Sequence, residues 1–300
     1  MNNDSQLKKD LLEKLTREFP DLSFNSVELV NHGDDHAVLI LDKKRIVRFP
    51  KNAQYQESFK QELKLLQTLI EKGLPVPFYD YVASNSHFGS YRFIDGTELR
   101  LETFNTLSQT SLEALIKDIA HFLSGLHSIP LDTIEISEHK ERWDSDEIWK
   151  YTDRYFNERR KIIENHVSSS LLAELDQFFN NLKEMKSSVR RIIHDDLSDD
   201  HILVKPDGTL AGIIDFGDAN IGDPAFDFFY FWNYEDSLAH KVYKNYKFKD
   251  DTELLNRSYW HFVRFLADEL FKAYRDNKNE RALSITKKIE EALPKLPQLN

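Results

Sequence analysis

Between Ser23 and Pro50, apolar and polar residues alternate with a period of two, which is typical of half-buried β-strands. Three such segments follow one another: LSFNSVEL, HAVLILD and KRIVRFP. Turn-forming residues separate them at Asn31–Asp35 and Asp42–Lys44. Because strands joined by short turns pair with their neighbours, we expect an antiparallel meander. Two later segments, FYDYVAS and SYRFID, continue the strand pattern.

Apolar residues elsewhere recur at helical spacing. A first helix should run from about Asp4 to Phe19, and a second from Gln54 to Lys72. From about Gly96 onward the pattern is mainly helical, and the clearest helical stretches are Ser111–His127, Pro224–Trp232, Leu254–Tyr274 and Glu280–Leu293. Short apolar strands, RRII, HILV and LAGII, interrupt the helices within Arg190–Ile214, with a turn predicted at Lys205–Gly208.

These elements predict an α+β fold in two parts. A small N-terminal lobe, residues 1–94, would hold the antiparallel strands and two helices. A larger C-terminal lobe, residues 95–300, would be mostly helical and would contain the interrupting strands.

The composition narrows the class of protein. The chain has 300 residues, 40% of them hydrophobic, which is enough to build a large core. No stretch approaches the roughly 18 apolar residues of a membrane-spanning helix, and the N-terminus is charged where a signal peptide would be apolar. We therefore expect a cytoplasmic protein without a membrane partner. Cysteine is absent, so any metal must be bound by Asp, Glu or His.

The net charge of −11 argues against nucleic acid as a partner. Most of this excess is local, because residues 195–236 contain ten Asp and one Glu but a single basic residue, Lys205. These acids alternate with apolar runs that belong in a core. The pattern indicates a cleft that attracts divalent cations and cationic small molecules. The oligomeric state is not indicated by any of these patterns.

Two groups of polar residues follow short apolar strands. The first, HDDLSDDH, contains Asp196 and His201, and the second, DFGD, begins fourteen residues later at Asp215. Phosphoryl transfer requires a carboxylate that orients the attacking hydroxyl and further ligands that hold Mg²⁺ on the nucleotide phosphates. These three side chains have the number and the spacing that this chemistry needs.

The segment IIHDDLSDDHILV…LAGIIDFGDANIGDPAFDF resembles the aminoglycoside phosphotransferases, a protein-kinase-like family. The likeness is greatest to the 2″-type enzymes, because His201 stands where protein kinases usually have Asn. The resemblance implies a protein-kinase-like fold, ATP or GTP as phosphate donor and Mg²⁺ as cofactor. It also implies that Asp196 is the catalytic base and that His201 and Asp215 bind the metal.

The same resemblance assigns nucleotide-binding roles in the N-terminal lobe. Gly33 lies where the family folds a loop over the phosphates, although GxGxxG is absent. Arg48 occupies the place of a phosphate-contacting Lys, and Glu62 that of its ion-pair partner. Arg in place of the Lys is a departure from the family pattern. It changes the reach of the side chain and the geometry of its hydrogen bonds. Lys51 is an alternative phosphate ligand, which the alternation of strand faces disfavours.

The family resemblance also places the nucleobase, and it suggests where the acceptor binds. The nucleobase would bind the backbone near Ile94, and Tyr91 would narrow the inner pocket and favour guanine over adenine. Candidate residues for binding the acceptor are Ser198, Asp218, Glu235, Asp236, Asp268 and Glu269. The stretch Ser258–Arg264 carries fewer acids than the substrate-facing helix of the family usually does, which is a second departure.

The sequence therefore predicts a small-molecule kinase that phosphorylates a hydroxyl of a cationic aminoglycoside. The resemblance implies that this hydroxyl is the 2″-hydroxyl. Three alternatives remain open. The acceptor could be another small hydroxylated amine, choline-like or a sugar. A metal-dependent hydrolase could use His194, Asp195 and the neighbouring acids. The chain could also bind nucleotide without catalysis, given Arg48 and the reduced Gly loop.

Overall fold

The computed structural model of the chain describes residues 3–31, 35–133, 141–142, 145–186, 189–235 and 237–298. Gly33 and Asp236, two of the predicted site residues, lie outside the described residues. The helices are α1 (Asn3–Glu18), α2 (Ala53–Glu71), α3 (Leu101–Thr106), α4 (Gln109–Leu126), α5 (Ser145–Arg154), α6 (Arg160–Ile163), α7 (Ser169–Leu182), α8 (Leu238–Asn245), α9 (Leu254–Arg275) and α10 (Asn279–Ala292). The strands are β1 (Val27–Val30), β2 (His36–Leu41), β3 (Arg45–Pro50), β4 (Tyr79–Val82), β5 (Gly89–Arg92), β6 (Thr97–Glu98), β7 (Glu141–Arg142), β8 (Arg191–Ile193), β9 (Ile202–Val204), β10 (Leu210–Ile213) and β11 (Asn220–Gly222).

The described residues also contain shorter helical segments. A π-helical turn, Tyr155–Arg159, joins α5 to α6. Three further segments are 3₁₀-helical: Leu131–Thr133, Pro224–Asn233 and Leu293–Lys295. Within the described residues, no helix combines the length and the apolar content needed to cross a bilayer.

The described residues group into two compact units. The first contains the residues up to Asp118, together with Asp132–Thr133 and Ser198–Ala219, and the second contains the rest. This grouping divides the chain at places other than residue 94, because β6 pairs with β9 within the first unit. The lobe boundary at residue 94 stays a prediction.

The first unit contains a five-stranded sheet in the order β1-β2-β3-β5-β4. All of its neighbouring strands are antiparallel, which confirms the predicted meander. The first strand is shorter than expected, because only the end of LSFNSVEL is extended and paired. Asp42 and Lys43 form the tight turn between β2 and β3, each with a positive φ.

The alternation of side chains along β3 gives this sheet two different faces. Val47 and Phe49 lie in an apolar cluster with Leu11 and Leu15 of α1. Arg48 therefore lies on the opposite face, where it is bonded to α2. One face of β3 thus packs in an apolar core, and the other face holds a buried charge.

A second sheet of the first unit has the order β10-β9-β6. The predicted turn between β9 and β10 is present: the Gly208 N–H donates to the Lys205 carbonyl at 2.9 Å. Gly208 has φ +86°, and a Cβ there would lie 2.4 Å from the Cβ of Ser111. Glycine is required at this position for both reasons.

The core of the second unit is built from α7, α9, α10 and the 3₁₀ helix Pro224–Asn233. Phe178 and Trp260 stack there with ring centroids 5.1 Å apart. The whole stretch Ser258–Arg264 is buried. Burial in a core accounts for the low acid content of this stretch, because buried carboxylates are costly. A small sheet of order β7-β11-β8 completes the unit.

A buried ion cluster ties α9 to Asp223, which precedes the 3₁₀ helix Pro224–Asn233, and to Asp251, which precedes α9 itself. The Arg257 guanidinium donates to Asp223 at 2.7 Å and to Asp251 at 2.5 Å, and all three residues are buried. Asp223 also caps the 3₁₀ helix by accepting the Ala225 N–H. Loss of the guanidinium would leave two carboxylates buried without their cation.

Replacing Arg257 by Met should therefore lower the free energy of unfolding by about 3–5 kcal/mol, the usual loss when one side of a buried pair is removed. Urea denaturation of the purified variant measures this. Arg275→Met is the matched control on the same helix, because Arg275 is exposed and its removal should change little. Equal stability of Arg257→Met and the wild type would contradict the assignment.

Candidate active site

The Arg48 guanidinium bridges two carboxylates within the first unit. Its Nη1 donates to Glu62 Oε1 at 2.5 Å, and its Nη2 donates to Asp215 Oδ1 at 2.8 Å. Arg48 is only 6% exposed. Burial alone would lower the pKa of Arg48, but the charges of Glu62 and Asp215 hold it well above its ordinary value. The predicted Arg48–Glu62 pair is present, and Asp215 joins it.

His36 is a neighbour of this cluster that sequence reasoning missed. Its Nδ1 lies 3.3 Å from Arg48 Nη2. Burial, reinforced by the nearby Arg48 charge, lowers the pKa of His36 to about 3, so its ring is neutral at physiological pH. The sequence signal for His36 was its place as a polar residue at the start of β2, which is otherwise apolar.

Asp215 follows β10 in a left-handed backbone conformation, with φ +64°. This conformation is uncommon outside glycine and concentrates at functional sites. The Asp215 side chain is 47% exposed, and its Oδ2 lies 3.7 Å from His201 Nε2. The two predicted metal ligands are thus neighbours in the first unit.

Hydrogen bonds fix the ring of His201. Ser198 Oγ donates to Asp200 Oδ1 at 2.6 Å. The hydroxyl has only one hydrogen, so at 3.2 Å it accepts from His201 Nδ1. The ring hydrogen is then on Nδ1, and Nε2 keeps the lone pair that a metal needs. Ser198, predicted to contact the acceptor, orients His201 here.

The donors present are compatible with Mg²⁺. Among the described side chains, no group of three or more His, Asp or Glu is close enough to hold a metal by itself. Mg²⁺ usually retains several waters and takes one or two protein ligands together with substrate phosphates. His201 Nε2 and Asp215 Oδ2 meet that smaller requirement.

Asp196 belongs to the second unit, where a buried carboxylate fixes the backbone just before it. Asp227 accepts the N–H of His194 at 2.8 Å and that of Asp195 at 3.0 Å. It also bonds His127 Nε2 at 3.0 Å, and His127 Nδ1 lies 2.7 Å from the Tyr246 hydroxyl. Asp227 was missed as a site residue, although a lone acid within PAFDFFYFW was a signal.

Asp195 adds a second restraint to this loop. Its backbone is left-handed, with φ +67°, and its Oδ2 accepts from Asn220 Nδ2 at 2.8 Å. The Asp196 N–H donates to His194 Nδ1 at 3.3 Å. The side chain of Asp196 is left exposed at the end of a fixed backbone.

Most of the predicted acceptor carboxylates have cationic partners in their own unit. Glu235 pairs with Lys241 at 2.7 Å, and Asp268 pairs with Arg159 and with Arg264. Glu269 pairs with Lys272 at 3.0 Å and with Arg281. The charge available for a cationic ligand is therefore smaller than the sequence count indicates. Asp218 is half-buried in the first unit.

The predicted nucleobase residues lie in the first unit. Tyr91 is buried, and its ring meets that of Tyr79 edge to face at 4.9 Å. Ile94 is half-buried and packs against the backbone of Gly212, where a Cβ would lie 3.2 Å from Ile94 Cδ1.

Several solved structures share this fold. The GDP and kanamycin complex of APH(2″)-IIIa matches with a TM-score of 0.77 at 24% identity, covering 94% of this chain and 98% of that one. ADP-bound aminoglycoside phosphotransferase APH(2″)-Ib matches with a TM-score of 0.68 at 22% identity, covering 95% and 98%. Macrolide 2′-phosphotransferase type I matches with a TM-score of 0.63 at 16% identity, covering 93% and 96%. The predicted α+β, protein-kinase-like fold is confirmed.

The sequence itself matches the phosphotransferase enzyme family over residues 26–280. Because this match spans most of the chain, the protein belongs to the phosphotransferase enzyme family. The predicted enzyme class, a phosphotransferase with an alcohol group as acceptor, is confirmed.

The Arg48–Glu62 pair gives a stability prediction. Arg48→Met and Glu62→Met should each lower the free energy of unfolding by about 3–5 kcal/mol, because each leaves an uncompensated buried charge. The double variant should lose less than the sum of the two, with a coupling of about 1–3 kcal/mol.

A double-mutant cycle in urea measures this coupling. The matched control is the Arg45–Asp80 pair of the same sheet, which is more exposed and should show about 1 kcal/mol or less. Strict additivity for Arg48 and Glu62 would refute the pairing.

Proposed function

We propose that the chain is a small-molecule kinase that transfers the γ-phosphate of ATP or GTP to a hydroxyl of an aminoglycoside, the 2″-hydroxyl. The observation that carries the proposal is the cluster around Arg48. One buried guanidinium contacts both Glu62 and Asp215, and His201 lies beside Asp215. A cation for phosphate and two donors for a metal thus meet in one small region.

The chemistry assigned to these residues is in-line phosphoryl transfer. Asp215 and His201 would hold Mg²⁺, which when bound neutralises charge on the phosphates. Asp196 orients the acceptor hydroxyl and takes its proton. The acceptor oxygen forms a bond to the γ-phosphorus as the bond to the β–γ bridging oxygen breaks, and the nucleoside diphosphate leaves. The fixed backbone around Asp196 supports this role, because positioning supplies much of the catalysis in such reactions.

The nucleotide would contact Gly33, Arg48 and the backbone near Ile94, with Glu62 as the ion-pair partner of Arg48. Tyr91 would narrow the base pocket and favour guanine. Its burial and its contact with Tyr79 support a fixed ring at that place.

The acceptor would be bound by Ser198, Asp218 and the carboxylates of Glu235, Asp236, Asp268 and Glu269. The ion pairs of Glu235, Asp268 and Glu269 favour a second candidate, a less cationic acceptor such as another small hydroxylated amine. Macrolide 2′-phosphotransferase type I, whose fold is similar, is named for a different antibiotic acceptor.

A transfer screen tests the proposal and separates the candidates. The protein is incubated with Mg²⁺, GTP or ATP and a panel of kanamycin, gentamicin, choline-like alcohols and amino sugars. Mass spectrometry detects phosphate on the acceptor, and ³¹P–¹H correlation spectra locate it. Phosphate at the 2″ position of an aminoglycoside is expected. Transfer only to another amine would refute the acceptor, and nucleotide hydrolysis without transfer would refute the kinase.

Asp196→Asn should lower kcat by about 10²–10⁴-fold, the usual contribution of a general base, with little change in nucleotide affinity. Steady-state kinetics and calorimetric titration with GTP measure the two quantities. Asp207→Asn is the matched control, since Asp207 belongs to the same acidic run and its carboxylate bonds Thr209 within the β9–β10 turn. Turnover near the wild-type rate in Asp196→Asn would refute its role.

His201→Ala should raise the Mg²⁺ concentration needed for half-maximal activity by about tenfold, because one metal ligand is lost. His201→Asn should restore most of this affinity, since its amide supplies an oxygen. Ser198→Ala should have an intermediate effect, because the ring of His201 loses its hydrogen-bond acceptor. Identical Mg²⁺ titrations for wild type and His201→Ala would show that His201 has only a structural role.

A further inference from the structure

His36 has no part in the reaction described so far, yet its geometry implies one. Among the described residues, the hydrogen-bond partner of His36 Nδ1 is Arg48 Nη2, at 3.3 Å. A guanidinium can only donate hydrogen bonds, so Nδ1 must be the acceptor. In a neutral imidazole the hydrogen is then on Nε2. The lowered pKa of His36, about 3, is consistent with this neutral form.

The Nε2–H is a buried donor. His36 is 8% exposed, and Nε2 has no hydrogen-bond partner among the described residues. Buried polar groups are nearly always hydrogen-bonded, so an exception calls for an explanation such as a ligand atom. The Phe59 ring, at 6.2 Å between centroids and edge to face, packs against the imidazole and holds its orientation.

The position of His36 identifies the chemistry of that ligand. Val38 pairs with Arg48 in the sheet, so His36, two residues earlier, lies on the same face as Arg48. A neutral N–H donor beside a permanently charged guanidinium complements an oxyanion. His36 also directly follows, in sequence, the segment containing Gly33.

We propose that His36 Nε2–H donates a hydrogen bond to a phosphate oxygen of the bound nucleotide, beside Arg48. This inference rests on the proposed function, which supplies the nucleotide. It assigns to His36 a share of phosphate recognition, and it makes the Arg48 side chain the element that fixes the tautomer of the ring.

Two polar substitutions separate this role from packing. His36→Gln places an amide donor close to the position of Nε2, whereas His36→Asn is too short to do so. Isothermal titration with GTP, GDP and guanosine, in the presence of Mg²⁺, should show about tenfold weaker binding of both phosphorylated ligands to His36→Asn. His36→Gln should stay within about threefold of the wild type. Guanosine affinity should be the same for all three proteins.

His36→Phe provides a third variant that keeps an aromatic ring against Phe59, and it should resemble His36→Asn. His121→Phe, on the exposed face of α4, controls for the loss of a histidine. Thermal melting of each variant confirms that it is folded before titration.

The possible outcomes are distinct. Unchanged GTP affinity in both His36→Asn and His36→Phe would overturn the proposal, and so would an equal loss of GTP and guanosine, which would indicate packing alone. If the folded wild-type protein binds neither GTP nor ATP, the proposed function itself fails and His36 loses its ligand. If the wild type binds GTP and transfers phosphate, and the His36 variants bind GTP with the same affinity as the wild type, the proposed function stands. This inference alone is then wrong.

Discussion

The first unit depends on one buried positive charge. Arg48 lies on a strand, Glu62 on the helix that follows it and Asp215 on a loop 167 residues after Arg48, and the guanidinium bonds both carboxylates. A buried cation is stable only with its counter-charges, and the same is true of buried Glu62. Folding of this region and assembly of the site are therefore one event: α2 cannot dock correctly without also setting the position of the charge beside Asp215.

The second unit uses a buried negative charge in a comparable way. The Asp227 carboxylate accepts two consecutive backbone N–H groups and one histidine. Hydrogen bonds to a carboxylate are stronger than neutral ones, so two successive peptide groups are held firmly. Asp195 can then keep its left-handed backbone, supported by Asn220. The exposed Asp196 side chain projects from a backbone whose conformation was set by residues outside the acidic loop.

Local features of the sequence were sufficient to predict much of this arrangement. The meander, the β9–β10 hairpin and the amphipathic helices follow from periods of two and 3.6 residues, which depend only on near neighbours. The Arg48–Glu62 pair was predicted from the family resemblance, which assigns the two positions to one ion pair, and the structure contains the bond. Asp227 and His36 were missed because their partners are determined by tertiary packing.

The count of acidic residues predicted the charge of the site less reliably than periodicity predicted the helices and strands. Counting assigns every carboxylate between residues 195 and 236 to one surface that attracts cations. Asp223 and Asp227 are instead buried, and they bond Arg257 and His127. Glu235 and the acids of α9 have basic partners. Basic residues supplied from other parts of the chain cannot be seen in a local charge count.

The choice of Arg at position 48 has a consequence for covalent chemistry. A lysine amine in a phosphate site can lose its proton and attack an electrophile, whereas a guanidinium stays protonated in proteins and is a poor nucleophile. Amine-directed acylating reagents delivered by a nucleotide would find no reactive group on this face of β3. The neighbouring Lys51 follows the strand and donates to the Asn31 carbonyl, so acylation there would mark the end of β3 and leave the Arg48 cluster intact.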